Sequence, residues 1–98
     1  MGKVTLSGFI IVPKDDLAIV TAELANHIEL TRQEAGCLAF SVVRSHSDDC
    51  RFEVREVFES RAAFEHHQKR VKASRWGKVS INVERHYQVV EEPEVSDT

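Results

Sequence analysis

The feature that most constrains this chain is its changing apolar period: two, then helical, then two twice over, then helical, then two. Lys3 to Val12 alternates, with Val4, Leu6, Gly8, Ile10 and Val12 in one row and Phe9 and Ile11 giving the other row apolar weight. That is the period of a strand with both faces partly covered. Pro13 ends it, because proline cannot donate to a ladder. Asp15 or Asp16 is placed to cap the next element. Leu17, Val20, Leu24, Ile28 and Thr31 then recur at helical spacing, and Ala18, Ala22 and Ala25 raise helix propensity. Gly36 is the expected stop.

The second strand is expected over Cys37 to Ser45, with Leu38, Phe40 and Val42 in one row. The turn-forming run His46-Ser47-Asp48-Asp49 joins it as a hairpin to Arg51–Phe58, where Phe52, Val54, Glu56 and Phe58 share a row. Ser60 is a good N-cap for a helix that puts Phe64, His67 and Val71 on one face. Trp76 falls off that register, so the helix bends or a short extra turn packs Trp76 inward. Asn82 to Val90 is the last strand, with Val83, Arg85, Tyr87 and Val89 in one row. Residues 1–90 thus form a single domain, and the acidic residues 91–98, with Pro93, read as a tail.

The order β-α-β-β-α-β is an α+β, ferredoxin-like arrangement: an antiparallel sheet of four strands with two helices on one face. Yet Phe9, Ile11, Val43 and Val57 stand on the opposite face. An open apolar sheet face asks for cover, and a second copy of the chain, sheet to sheet, is the simplest cover.

Composition narrows the function classes. In 98 residues the formal net charge is −3, which disfavours a general nucleic-acid binder. The longest apolar run, Gly8 to Val12, is too short to span a bilayer, and the first residues lead directly into strand pattern with no signal peptide; a cytoplasmic protein is expected. Cys37 and Cys50 match no zinc spacing and read as reduced, small apolar residues, with a single bridge as the alternative. The histidines and carboxylates show no metal-ligand spacing, and there is no phosphate loop or nucleophile elbow, so neither a metal nor another cofactor is expected.

Three segments together resemble the antibiotic-biosynthesis-monooxygenase (ABM) domain family: Glu34-Ala35-Gly36-Cys37-Leu38-Ala39-Phe40, Arg51-Phe52-Glu53-Val54-Arg55-Glu56-Val57-Phe58, and Glu59-Ser60 followed by Ala63-Phe64 and His67. They are similar to the family's "PGC" before strand two, "rF…E.W" along strand three and "s..A…H" into helix two. The resemblance runs from Val4 to Val90 and implies a dimeric α+β barrel. The family includes cofactor-independent oxygenases of quinols and phenols, haem-degrading enzymes and an isomerase of a sugar phosphate. Ala35 stands where the family often has proline, Phe58 where it usually has tryptophan, and Lys72 where a second histidine is often found. Haem-degrading relatives carry tryptophan at the position of His67 and a histidine ligand near Gly77; neither is present here, which disfavours haem.

Glu56 is the most informative residue, since it interrupts an apolar row and burial of a lone carboxylate is costly. His67 is its natural partner. Such a pair either orients a general base or fixes helix two to the sheet. Arg85 and Tyr87 stand where family members often have an arginine and a tyrosine; they either hold an oxyanion or, for Arg85, pair with a carboxylate such as Glu53 or Glu84. Phe9, Phe40, Phe64 and Trp76 line an aromatic pocket or belong to the core. His66 is expected at the surface or an interface, and His27, on the helix-one face near Leu24 and Ile28, at the edge of the core rather than as a ligand.

The expected function is a cofactor-independent monooxygenase of a small electron-rich aromatic, a quinol or polyphenol, with dioxygen as co-substrate. His67 and Glu56 would be catalytic, and Arg85, Tyr87, Phe40, Phe64 and Trp76 would bind substrate. The alternatives are a non-catalytic dimeric module for a small ligand, and an isomerase of a small phosphorylated metabolite that uses the basic residues Arg70, Lys72 and Arg75.

Overall fold

A computed structural model describes residues 2–93. Strand β1 (Val4–Ile11) leads through a 3-10 turn at Lys14–Asp16 into α1 (Leu17–Arg32). Strands β2 (Cys37–Arg44) and β3 (Arg51–Phe58), helices α2 (Arg61–Ala73) and α3 (Arg75–Val79), and β4 (Glu84–Glu91) complete the chain order. The sheet order is β2-β3-β1-β4 and every neighbouring pair is antiparallel. This is the βαββαβ, ferredoxin-like arrangement that the apolar periods predict. β4 extends to Glu91, the first residue read as tail, and residues 94–98 of that segment lie outside the described residues.

Periodicity and caps explain most of the elements. In α1, Val20, Leu24 and Thr31 are buried, with Leu17 and Ile28 partly buried against the core. Of these, Val20 and Leu24 share one core with Leu6 and Ile10 of β1 and Phe52 and Val54 of β3. Each fully buried Val, Leu or Phe contributes about 1.5–3 kcal/mol relative to exposure. Ser60 caps α2 by accepting from the Ala63 amide at 3.1 Å. Ser74 closes α2 and opens α3, accepting from the Gly77 amide at 3.2 Å, so Trp76 turns inward and is buried. Among the described residues, no helix is long and apolar enough to cross a membrane.

Four local expectations are corrected. Asp16 stands at the N-cap of α1 as expected, but its side chain makes no capping hydrogen bond; it closes the 3-10 turn, its amide donating to the Pro13 carbonyl at 2.9 Å. Leu38 does not share the inward row. The register moves from Cys37↔Phe58 to Phe40↔Glu56, three residues on β2 against two on β3, and this bulge turns Leu38 outward while Phe40 stays inside. Gly36 is not a left-handed helix cap, because α1 ends at Arg32; a Cβ at Gly36 would collide with that of Ala63, so this glycine admits a close approach of α2. The apolar far face of the sheet is also less bare than expected. Phe9 stacks on His86 at 4.6 Å and carries the Arg51 guanidinium at 3.7 Å, and Val57 is buried, whereas Val43 remains more than half exposed.

Register sets what faces the helices. Phe40, Glu56, Leu6 and Val89 lie across the four strands in one row, and Val42, Val54, Gly8 and Tyr87 in the next. Gly8 has φ +149°, and a Cβ there would strike the carbonyl oxygen of His86. β4 is an edge strand, and all eight of its residues are exposed.

Candidate active site

Between the helices and the sheet lies a cavity of about 230 Å³. Leu6 and Glu56 meet it from the central strands, and Arg85 and Tyr87 from β4. From the helices it is lined by His27 of α1, His67, Gln68 and Val71 of α2, and Trp76 of α3. Of the residues expected to act, His67, Glu56, Arg85, Tyr87 and Trp76 therefore meet in one place. Phe40 and Phe64 do not line the cavity. Phe40 packs edge-on to His27 at 5.3 Å, and Phe64 packs on Phe58 at 5.7 Å, one layer behind.

The orientation of His67 departs from expectation. The partner that holds it is Glu34, just beyond the end of α1: Oε2 of Glu34 lies 2.9 Å from His67 Nδ1. The same oxygen accepts from Arg70 Nε at 2.6 Å, and Arg70 also donates to Thr31 Oγ1 at 3.0 Å. His67 and Arg70 are three residues apart on α2, so both reach one carboxylate. A carboxylate paired with a guanidinium only accepts, so Nδ1 of His67 is the donor and its Nε2 carries a bare lone pair. That Nε2 faces Glu56 Oε1 at 3.7 Å, beyond hydrogen-bond length.

Burial dominates the electrostatics. Glu56, 6% exposed, is pushed from 4.5 up to about 7 by desolvation, with the charge of Glu34 adding to it. A carboxyl at about 7 is half protonated at neutral pH. Desolvation holds His67 below the ordinary imidazole value; the Glu34 hydrogen bond pulls the other way. Desolvation takes His27 down to about 3, assisted by the charges of His67 and Arg70, so its ring stays neutral. The Tyr87 phenol is raised to about 12, first by desolvation against the cavity wall it lines, although the residue as a whole is partly exposed on β4, and then by Glu56; it therefore remains a hydrogen-bond donor.

Arg85 is spent largely on the backbone. Its guanidinium donates to the Ser80 carbonyl (3.2 Å), the Val83 carbonyl (3.2 Å) and Ser80 Oγ (2.7 Å), and so fastens the α3–β4 turn rather than a carboxylate such as Glu53 or Glu84. The basic residues of α2 and α3 do not gather either: Arg70 binds Glu34, and Arg75 pairs with Glu23 at 3.3 Å. Cys37 and Cys50 are free thiols.

Sequence reasoning did not assign roles to Glu34 and His27. Glu34 was visible as the first residue of the segment leading into β2, but its partners lie 33 and 36 residues further on. His27 stacks on Trp76 with centroids 4.7 Å apart and planes at 8°, and is only 5% exposed, so it is buried at the site rather than at the edge of the core.

The antibiotic biosynthesis monooxygenase family model matches residues 4–78. The chain belongs to the antibiotic biosynthesis monooxygenase family. The matched segment holds Glu34, Glu56 and His67 and ends before Arg85 and Tyr87. Solved structures agree in fold. A Bacteroides thetaiotaomicron protein of unknown function, noted as a possible oxidoreductase, is 16% identical with a TM-score of 0.79 over 93% of this chain and 98% of its own. A candidate antibiotic biosynthesis monooxygenase from Deinococcus radiodurans is 19% identical with a TM-score of 0.75, over 98% and 97%. A Pseudomonas aeruginosa protein is 21% identical with a TM-score of 0.76, over 98% and 97%. No match to the sequence was found among curated proteins.

Proposed function

We propose that this chain is a cofactor-independent monooxygenase of a small electron-rich aromatic, of the quinol or polyphenol class. The observation that carries this reading is the chain of contacts Arg70–Glu34–His67 that ends in a bare Nε2 beside the buried, unpaired carboxyl of Glu56 on a cavity wall. Glu34 sets the tautomer, and the Nε2–Glu56 pair accepts the proton of a phenolic hydroxyl. Tyr87 donates toward the resulting oxyanion. The ring anion is then electron-rich enough to reduce dioxygen. One oxygen atom enters the ring and the other leaves as water, so a quinol and dioxygen balance to a hydroxylated quinone and water without an external reductant. The chain's own contribution is orientation, exclusion of water and stabilisation of charge.

Family members are typically dimeric, and a homodimer fits this reading. The helix-side row of β4, with Tyr87 39% and Val89 47% exposed, stands open beside the cavity, and a second copy would close it. The free thiols accord with a cytoplasmic location.

Oxygen uptake by the purified, metal-free protein with a panel of hydroquinones tests the proposal. Uptake that is lost in His67→Ala while the oligomer persists supports it. Saturable binding without uptake would make the chain a ligand-binding module, and turnover of a sugar phosphate would make it an isomerase.

A further inference from the structure

Among the described residues, two buried side-chain polar atoms lack a hydrogen-bond partner: Nδ1 of His27 and Oε1 of Glu56. Both residues line the same cavity. An orphaned buried polar atom is costly, and native structures keep one where a ligand or water completes it. Two on the wall of one cavity, approached from opposite layers, describe a site that takes two polar groups at once.

The remaining geometry says what carries those groups. His27 lies flat against Trp76 at 8° and edge-on to Phe40, so its ring is held by aromatic contacts and its nitrogens are the polar atoms it brings to the cavity wall. Its centroid is 6.0 Å from that of His67, on which Glu56 converges. The cavity, at about 230 Å³, lies between a cavity of about 150 Å³ that holds benzene and the roughly 300 Å³ at which pockets for larger ligands begin. One ring fits, or two. Glu56 and Glu34 make the surroundings unfavourable for a carboxylate or phosphate, and Arg85 is engaged with Ser80 and Val83.

We propose that His27 is a specificity-determining residue: its imidazole binds the second oxygen of a neutral one- or two-ring aromatic whose first oxygen is held by Glu56, so the cavity selects a dihydroxy ligand over its single-hydroxyl analogue. This rests on the aromatic-substrate reading above and adds a recognition element to it.

Binding is measured without oxygen, so that turnover plays no part. Hydroquinone is compared with p-cresol, and catechol with o-cresol, pairs in which a methyl replaces one hydroxyl. Quenching of Trp76, the only tryptophan of the chain, reports occupancy. The wild type is expected to prefer at least one diol by about tenfold or more over its cresol. In His27→Phe, which keeps an aromatic ring but removes both nitrogens, that preference disappears. On the wild-type protein the His27 imidazole nitrogen resonances move with the diol and not with the cresol, a readout that does not depend on the variant folding. Equal affinity for diol and cresol, which is what a water-filled site would give, overturns the proposal. So does binding of neither, or a preference that survives His27→Phe. Oxygen uptake separates the two readings: uptake without diol preference removes only the role of His27, and diol preference without uptake removes only the oxygenase.

Discussion

Glu34, not Glu56, holds the ring of His67. Its Oε2 is 2.9 Å from Nδ1, whereas Oε1 of Glu56 stands 3.7 Å from Nε2. The two carboxyl groups therefore have different tasks. One is anchored by Arg70 and sets the tautomer. The other is unanchored, has an unpartnered oxygen and faces the cavity.

Replacing Glu34 separates these tasks. Glu34→Gln keeps the size but offers no charge to Arg70 and permits the other imidazole tautomer. Oxygen uptake is expected to fall about 10²–10⁴-fold, the scale of a lost oriented base. Glu34→Ala additionally strands Arg70 and His67 and is expected to lower stability by about 1–3 kcal/mol. Denaturant melts and oxygen-electrode rates on the same preparations check both. Full activity in Glu34→Gln would show that the orientation of His67 is immaterial.

The pH dependence of stability comes from groups whose shifts have opposite effects. Glu56 is raised from 4.5 to about 7, so the folded state holds its proton more tightly; the associated stability, about 3 kcal/mol, is complete below 4.5 and is lost as pH rises through 7. His27 is lowered from 6.5 to about 3, so the unfolded state binds its proton more tightly, and its contribution grows from about pH 3 to 6.5. His67, also lowered, acts in the same sense as His27. Between pH 4.5 and 6.5 Glu56 and His27 oppose each other. Glu56→Gln is thus expected to make stability rise more steeply with pH in that window, by about 1.4 kcal/mol per pH unit relative to the wild type. Denaturant midpoints at pH 4.5, 5.5 and 6.5 measure it; identical slopes would mean that the Glu56 carboxyl titrates normally.

The fold was legible because its signals are local. Period-two rows in β1 and β3 and the helical row Val20–Leu24–Thr31 each announce their own burial. Glu56 stood out for the same reason, as one charged residue in an apolar row. The rest of the site depends on contacts distant in sequence. Glu34 becomes an orienting group only when the α1–β2 turn meets α2, and His27 enters the site only because Ser74 breaks the helix and sends Trp76 inward to stack on it. The bulge at Leu38 has no signature in an alternating row, which reads the same until the partner strand shows the offset.

Gly8 links the backbone to the site. Gly8→Ala must place a Cβ against the carbonyl of His86 with φ at +149°, beside Tyr87 in the same sheet row. The strain is expected to cost about 1–3 kcal/mol and to be relieved by loosening β1 from β4. Thermal melts read the loss, and amide exchange along β4 reads the loosening. A melting temperature equal to that of the wild type would show that the strand pair accommodates a side chain.

Arg85 offers the sharpest contrast between a structural and a chemical role. Ser80 is fully buried, and both its carbonyl and its hydroxyl receive hydrogen bonds from this guanidinium, as does the Val83 carbonyl. Arg85→Ala is expected to cost about 1–3 kcal/mol through acceptors left without donors, and to loosen the turn that follows α3, the helix on which Trp76 stacks against His27. Arg85→Lys keeps the charge but lacks the planar fork that reaches these acceptors together, so it should recover only part of the stability. If positioning is the role of Arg85, both variants raise KM for a hydroquinone more than they lower kcat. A loss confined to kcat in a fully stable Arg85→Lys would instead assign the guanidinium to the reacting oxyanion.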